Sequence, residues 1–467
     1  MTTSSRRRFL KQSALLTSGA VSLGAGSLLW PHQAGAATSD YRALICLFLY
    51  GGNDGLNMVP PYSPTLHQQY AQVRQSLAIA RSSIVPLNAD IGLHPAMAPL
   101  KDVFDAQRLA IINNVGPLSR PMTRQQYFEW QALHDNTRVP DNLFSHKDQQ
   151  RLWENATTTG IERTGWGGRL AEALGSQSPV YSFAGNTRFG AGNLLQELVL
   201  PDPDRRLGLY GFDGDAWSNA RLAALQSLTA SASGNALHQA LTASQQRAFS
   251  ISNQLGPLLE QAPSNGVDSD NPELSTAFSG LQDDLDNPLA RQLYQAAKII
   301  KNRSLVGGNR HVFFVSLGGF DHHANQLTRH EPLLRTLGHS LQAFDAAMQS
   351  LGTSNQATLF TQSDFGRSFK PNGSAGTDHA WGNQQLVMGG AVAGGTSYGA
   401  YPSLELGGPD DAGEMPWEHH GRWIPSVSVD QYAATLIKWF APELGGNYGQ
   451  ILPNLHRFTQ HDVGFMS

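Results

Sequence analysis

The chain contains a single cysteine, Cys46, among its 467 residues. One thiol cannot form an internal disulfide, so packing and polar contacts must hold the fold together. Cys46 lies within the apolar run 43–50, which predicts a core position rather than a catalytic thiol. Charged residues are also scarce, at 15% of the chain, and 33 Lys and Arg against 37 Asp and Glu give a formal net charge of −4. The lack of a basic excess argues against a nucleic-acid-binding protein.

Apolar runs long enough to span a membrane are lacking beyond the N-terminal region. There, Ser5-Arg6-Arg7-Arg8-Phe9-Leu10-Lys11 precedes an apolar stretch rich in Gly and Ser, which ends near the small-residue site Ala34-Gly35-Ala36. This order resembles a twin-arginine (Tat) export signal. A retained N-terminal membrane helix is the alternative, but the Gly and Ser content favours a cleavable signal.

We therefore expect residues 1–36 to be a Tat signal peptide that the Tat translocase recognises. The mature chain, residues 37–467, is then periplasmic or otherwise exported and has no stable membrane span. Removal of residues 1–36 takes away four positive charges and changes the formal net charge from −4 to −8. An acidic mature protein again argues against a nucleic-acid partner.

Short apolar runs alternate with amphipathic helical stretches along the chain. The runs that predict strands are 43–55, 108–116, 179–183, 311–321, 357–366 and 385–390. The stretches that predict helices include 94–107, 149–155, 326–351 and 430–440. This alternation predicts an α/β fold, a three-layer α/β/α sandwich with a mostly parallel central sheet. Residues 191–301 are rich in Ser, Ala, Gln, Asn and Leu, and they predict a largely helical insertion or cap.

Carboxylates follow three of the predicted strands. Asp54 comes after the first apolar run, Asp321 follows the pair Gly318-Gly319, and Asp364 follows the segment LFTQS. Ligands of an open parallel sheet bind at the carboxyl ends of its strands, so these side chains are expected at one edge. Asp and His are ligands of zinc and similar ions. The stretch 316–326, with Asp321, His322 and His323 after two glycines, and the cluster Gly376-Thr377-Asp378-His379 therefore suggest a metal site.

Two further residues suit an anionic ligand. Ser145 stands where it would begin a helix, and it is either a helix N-cap or a nucleophile beside the unpaired N–H groups of the first turn. Arg367 either binds an oxyanion through two N–H groups or forms a structural salt bridge. The pair His419-His420 is either a late metal ligand or part of a surface loop.

Several long motifs resemble an uncharacterised family of Tat-exported bacterial proteins, a domain of unknown function. The motifs are LYGGNDGLNMVPPY, LHPAMAPLKDVF, FSHKDQQRLWENA, GGFDHHANQ, SDFGRSFKPNGSAGTDHAWG and SVDQYAATLIKWF. That family looks like a branch of the alkaline phosphatase and sulfatase superfamily. The resemblance implies an α/β/α sandwich that binds divalent metal at strand ends.

Carried over by position, the resemblance assigns a set of site residues. It implies Asp54, Asp321, His323, Asp364 and His379 as metal ligands, Ser145 as the nucleophile and Arg367 as a group that stabilises developing charge. Asp321 and His323 are two residues apart, whereas the phosphatases commonly space this pair by four. Phe365 stands where the histidine of a second metal is expected, so that position would keep Asp54, Asp364 and Ser145 or His146. One ion, zinc or similar, is therefore expected rather than two.

The resulting functional expectation is an exported, metal-dependent hydrolase of phosphate or related esters, with a small anionic ester as its substrate. The alternative is a non-catalytic exported binding or assembly protein that retains the fold. Geometry separates the two, because the enzyme requires the expected ligands to converge within a coordination sphere.

Overall fold

The computed structural model describes residues 40–135, 137–175, 180–201, 207, 215–229, 235–259, 268, 270–284 and 287–467. The expected signal peptide, residues 1–36, lies outside these described residues. Among the described helices, none is long and apolar enough to cross a membrane.

A nine-stranded mixed sheet forms the centre of the fold. The described strands are β1 Arg42–Leu49, β2 Val85–Pro86, β3 Gly92–Leu93, β4 Leu109–Gly116, β5 Val180–Ser182, β6 Leu198–Val199, β7 Arg310–Leu317, β8 Ala357–Ser363, β9 Asn383–Gly389, β10 Thr396–Tyr398 and β11 Val427–Ser428. The order in the sheet is β10-β4-β9-β8-β1-β7-β5-β6, with β11 also paired to β4. Of these nine described strands, only β9 runs against its neighbours, so the predicted mostly parallel sheet is confirmed.

Helices cover both faces of the sheet. The described α-helices are α1 Gly55–Met58, α2 Pro64–Arg74, α3 Leu100–Asp105, α4 Arg124–Ala132, α5 His146–Asn155, α6 Trp166–Ala173, α7 Ala216–Thr229, α8 Ala236–Leu259, α9 Pro272–Ala277, α10 Pro288–Lys301, α11 Arg303–Val306, α12 Gln326–Ser350 and α13 Val429–Phe440. Short 3₁₀ turns include Pro95–Met97, Ser354–Gln356 and Pro416–Glu418. Helices α7 to α10 and the short strand β6 lie within residues 191–301. The limits predicted for an insertion there stay a prediction.

Strand β1 shows why the fold has three layers. All of its residues after Arg42 are buried, and successive side chains point to opposite faces. Ile45 and Leu47 pack in the core on the side of α10 and α12, whereas Cys46 and Phe48 pack in the core on the side of α6 and α13. Each fully buried side chain of this size contributes about 2 kcal/mol through its removal from water. The predicted core position of Cys46 is confirmed.

The helix ends are set by local sequence signals. Asn287 begins α10, where its side chain accepts hydrogen bonds from the N–H groups of Leu289 and Ala290, and Pro288 occupies the first helical position. At the start of α13, Ser428 and Gln431 form a reciprocal capping box. These signals fix where each helix leaves the sheet.

The parallel register brings three loops to one edge. Leu49 at the end of β1 is level with Leu317 of β7 and with Ser363 of β8. The segments that follow these three residues therefore start side by side. Two of them, 318–325 and 364–382, carry the aspartates and histidines expected at the site.

Candidate metal centre

Four side chains meet at the edge of the sheet where β7 and β8 end. His146, Asp321, His323 and His379 each offer one ligand atom, and these atoms all lie within 4.8 Å of one another. We call these four residues the metal centre. Asp321 Oδ1 lies 3.0 Å from His323 Nε2, 3.4 Å from His146 Nε2 and 3.8 Å from His379 Nε2.

Each imidazole is oriented by an oxygen atom outside the metal centre. The contacts join His146 Nδ1 to Asp364 Oδ2 at 2.7 Å, His323 Nδ1 to Asp378 Oδ1 at 3.3 Å, and His379 Nδ1 to the Phe144 carbonyl oxygen at 2.5 Å. An acceptor at Nδ1 favours the tautomer that carries its proton there. The Nε2 lone pair of each ring then points into the centre, which is the arrangement that carboxylates and carbonyls impose on metal-binding histidines.

Two further observations fit a cation. His146 Nε2 is buried and has no hydrogen-bond partner among the described residues. His323 Nε2 lies only 2.9 Å from His379 Nε2, so in these tautomers two lone pairs face each other. A divalent ion removes both costs, and three imidazole nitrogens with one carboxylate are a donor set that zinc accepts. The residues therefore fit a metal ion.

The charges of the metal centre also suit a cation. Burial acts to raise the pKa of Asp321, but the hydrogen bond from Arg367 and the charge of that residue outweigh it and lower the pKa. The hydrogen bond to Asp364 raises the pKa of His146, whereas burial lowers the pKa of His379. An ionised Asp321 is thus present over the neutral pH range. The side chains of Asp321 and His323 are 48% and 46% exposed, which leaves one side of the centre open to solvent.

Two loops and one helix start supply the ligands. Asp321 and His323 follow β7, and His379 follows β8 in the loop that leads to β9. The two loops are joined where Thr377 N–H donates to the His322 carbonyl at 3.1 Å. At Gly376 the backbones approach so closely that a Cβ atom there would overlap the His323 carbonyl group. His146 is the first residue of α5.

Of the five ligands expected from the sequence, Asp321, His323 and His379 converge in the metal centre, whereas Asp54 and Asp364 do not belong to it. Asp54 lies in a different environment from the one expected for a ligand. Arg74 NH1 and NH2 donate to its two carboxylate oxygens at 2.6 and 2.8 Å, and both side chains are buried. Gln326 Nε2 also donates to Asp54 at 2.5 Å. Burial acts to raise the pKa of Asp54, but Arg74 outweighs it and lowers the pKa. In the structure Asp54 therefore anchors the end of β1 to α2 and α12.

Asp364 lies behind the metal centre. Its Oδ2 contacts His146 Nδ1 and accepts from Gln150 Nε2 at 2.9 Å, while its Oδ1 accepts from the Gly51 N–H at 3.1 Å. The carboxylate is fully buried and positions His146. The ring of Phe365, the next residue, lies 4.7 Å from the His146 ring and 4.5 Å from the His379 ring, and it forms an apolar wall beside both.

Ser145 and Arg367 are both close to the metal centre, and both have partners. Ser145 is the N-cap residue of α5, but its hydroxyl donates to Asp148 Oδ2 at 2.9 Å rather than capping a backbone N–H. The buried Arg367 donates to Asp321 Oδ1 at 2.6 Å, to the Gly52 carbonyl at 2.8 Å and to the Thr377 carbonyl at 3.1 Å. Of the two alternatives for Arg367, the structure contains the salt bridge.

His146 is the ligand that the sequence indicated least clearly. From the sequence, His146 is expected only as an alternative to Ser145 at a second metal position. Its place directly after a predicted N-cap was the available signal, because the first turn of a helix at a sheet edge faces the loops there. His419 and His420 lie outside the metal centre, in a segment where the His420 carbonyl accepts from the Lys370 N–H at 3.0 Å.

Comparison with known proteins identifies a family for this chain. A family model described as protein of unknown function (DUF1501) matches residues 41–412. None of the curated proteins is similar in sequence. Similar solved structures include Ps i-CgsB, at 8% identity over 86% of this chain and 72% of that chain with a TM-score of 0.35. The alkaline phosphatase from the Antarctic bacterium TAB5 is similar at 9% identity over 75% of this chain and 92% of that chain, with a TM-score of 0.28.

Proposed function

The chain belongs to the DUF1501 family, and we propose that it is a metal-dependent hydrolase of phosphate or related esters. The observation that carries the proposal is the convergence of His146, Asp321, His323 and His379 at a solvent-open edge of the sheet. Three imidazole nitrogens and one carboxylate are the ligand types of zinc and similar ions. We propose one ion rather than two.

The role of the metal centre follows from its charges. A bound divalent ion supplies a Lewis acid and lowers the pKa of a water ligand. The three imidazoles bring no charge when neutral, and Asp321 brings one negative charge, so the loaded centre is net positive. An anionic ester is the substrate that such a charge attracts. The exposed sides of Asp321 and His323 leave room for it to approach.

The start of α5 supports the same substrate class. His146 is the first residue of this ten-residue helix, and the side chain of the N-cap residue Ser145 does not cap the N–H groups of its first turn. Those N–H groups and the helix dipole give the region a partial positive charge. A phosphate or sulfate group that approaches His146 therefore meets donors from the backbone.

A structural metal in a non-catalytic binding or assembly protein is the second candidate. One observation favours it: four protein side chains converge, which is the number of ligands that would hold a structural zinc ion. Catalytic zinc sites commonly keep one position for water. Turnover separates the two candidates.

The test is a substrate panel with variants. The purified protein is assayed with aryl phosphates, phosphodiesters and aryl sulfates in the presence of Zn, Mn, Mg or Ca. We expect turnover that Asp321→Ala abolishes and that Asp462→Ala, a change at a distant ion pair with Lys438, leaves intact. A protein that binds metal but hydrolyses none of these esters is the structural candidate instead.

We further propose export through the Tat pathway, supported by the motif at residues 5–11. The mass of the exported protein checks it, because cleavage after Ala36 gives a chain that begins at Ala37. An exported chain that keeps residues 1–36 contradicts the assignment.

A further inference from the structure

Arg422 differs from the other arginines near the metal centre. Arg367 donates its N–H groups to four carbonyl oxygens and to Asp321, and Arg124 donates to the Asp411 and Gly413 carbonyls. The Nε–H group of Arg422 is buried and has no hydrogen-bond acceptor within the described part of the chain, whereas the residue as a whole is half-buried. A buried N–H group without an acceptor is costly, so this side chain lacks a partner that its chemistry requires.

The guanidinium lies beside the supports of the metal centre. Its central carbon is 4.7 Å from the centroid of the Phe144 ring, and the carbonyl of that same residue holds His379 Nδ1. The neighbouring residue Gly421 accepts a hydrogen bond from the Phe369 N–H at 3.2 Å, and the Ser368 N–H donates at 2.9 Å to the carbonyl of Asp378, whose carboxylate contacts His323 Nδ1. Asp378 Oδ1 is already engaged by His323 and Asn372, and it forms no ion pair with Arg422 within the described residues.

The backbone at Arg422 is held by hydrogen bonds to a buried carboxylate. The buried carboxylate of Asp411 accepts four backbone hydrogen bonds, from Gly407 at 2.9 Å, Gly413 at 3.2 Å, Gly421 at 3.1 Å and Arg422 itself at 3.1 Å. Asp411 thereby closes the segment 407–422 on itself. An arginine on such a fixed segment loses less conformational freedom when it binds a ligand.

A second cationic residue and a cavity lie near Arg422. Lys370 is exposed, and its N–H is bonded to the carbonyl of His420, two residues before Arg422. Phe144 also lines a cavity of about 510 Å³ between α4 and the segment that precedes α5. Tyr127 lines the same cavity. The organic part of an ester thus has a space beside the charged residues.

We infer that Arg422 is the residue that recognises the tetrahedral oxyanion of the substrate, a phosphate or sulfate group, beside the metal centre. The inference rests on the proposed function for the identity of the substrate, but not for the binding of the anion. The planar guanidinium offers two parallel N–H groups to such an anion, whereas a lysine offers a point charge.

The experiment measures binding of inorganic phosphate and of sulfate to the zinc-loaded protein by titration calorimetry. The variants are Arg422→Gln, Arg422→Lys and the control Arg81→Gln, which removes another arginine that stacks on an aromatic ring, that of Tyr62 at 4.5 Å. Zinc content is measured for each. We expect Arg422→Gln to weaken binding of at least one of the anions by about tenfold or more, Arg422→Lys to weaken it less, and Arg81→Gln to leave it unchanged.

Two results would overturn the inference. One is that the wild-type protein binds neither anion, or that Arg422→Gln binds both as wild type does. The other is that Arg422→Gln loses zinc together with the anion. That result would show that Arg422 acts only by holding Phe144 against His379. If anion binding depends on Arg422 at unchanged zinc content while no ester is hydrolysed, the inference stands and the proposed hydrolase activity fails.

Discussion

Asp364 shows how single residues outside the metal centre set its chemistry. Both of its oxygens meet N–H groups, from His146 and Gln150 on one side and Gly51 on the other. An asparagine at this position has one oxygen and one NH₂ group. In either side-chain orientation its NH₂ group would face an N–H donor, either that of Gly51 or those of His146 and Gln150. We therefore expect Asp364→Asn to misalign His146 and to lower zinc affinity by about 10- to 100-fold. Competition with a chelator measures this, with Asp462→Asn as the control, and an unchanged affinity would contradict the role of Asp364.

Glu154, on the same face of α5 as His146 and Gln150, gives a prediction about pH. Burial raises the pKa of Glu154 to about 7, against partial compensation from the Phe189 N–H and the Tyr50 hydroxyl. The folded chain keeps this proton between pH 4.5 and 7, whereas the unfolded chain releases it. Stability from this residue is therefore present below pH 4.5 and is lost as pH rises to 7.

Glu154→Gln should remove the loss of folding stability between pH 4.5 and 7, because an amide does not ionise in this range. We expect the variant to be more stable than wild type by about 1–3 kcal/mol at pH 8 and nearly equal to it at pH 5. Urea denaturation at the two pH values measures the difference. Asp430, whose pKa burial also raises to about 7, is unchanged in both proteins, so its contribution cancels. A difference that is the same at both pH values would show that Glu154 is ionised throughout.

For single residues, the sequence predicted which residue types belong to the site better than it predicted their side-chain contacts. Asp321, His323 and His379 could be placed together because each follows a strand end or belongs to a matched motif. Asp54 and Asp364 carry the same signal, yet Arg74 binds one and the other supports His146. These pairings join residues 20 and 218 positions apart, and side-chain contacts over such separations leave no mark in a single sequence.

The elements around the metal centre depend on close backbone contact between two loops. Gly376 lies against the His323 carbonyl, whereas a Cβ at Gly373, three residues earlier in the same loop, would meet open space. We expect Gly376→Ala to push the loops apart and to weaken zinc binding by at least about tenfold, because a clash with backbone cannot be relieved by rotating a side chain. Gly373→Ala is the matched control, and calorimetric titration with zinc compares them. Equal affinities would show that the loops are free to move apart without cost.

The end of β1 depends on the buried pair of Asp54 and Arg74. Removal of one partner from such a pair leaves an uncompensated charge, so Asp54→Asn should destabilise the fold by about 3–5 kcal/mol. Zinc content of the folded fraction should stay at the wild-type level. Denaturation and metal analysis together measure both quantities. Asp321→Asn is the contrasting variant, with zinc lost and stability little changed, and the same pattern for Asp54→Asn would make Asp54 a ligand after all.

Elements were more predictable than contacts. The predicted runs 311–321 and 357–366 contain most of β7 and all of β8, because continuous apolar residues fit a sheet buried on both faces, although both strands end earlier than the runs. Helix α12 also matches its expected span of 326–351 within one residue. The reversed direction of β9 was not predictable, since a buried strand has the same composition whichever way it runs.

For the whole molecule, the central claim is that a sheet with one shared carboxyl edge gathers three imidazoles and a carboxylate from distant segments. The DUF1501 match gives the family of the chain and the three-layer sandwich gives its fold, whereas the functional proposal depends on the metal centre. The most direct test is X-ray absorption at the edge of the metal in the purified, zinc-loaded protein, with the metal content per chain. We predict one ion per chain with nitrogen and oxygen ligands at about 2.0–2.1 Å and the scattering signature of three imidazoles. A chain that retains no ion, or an ion bound by fewer than two imidazoles, would contradict the account.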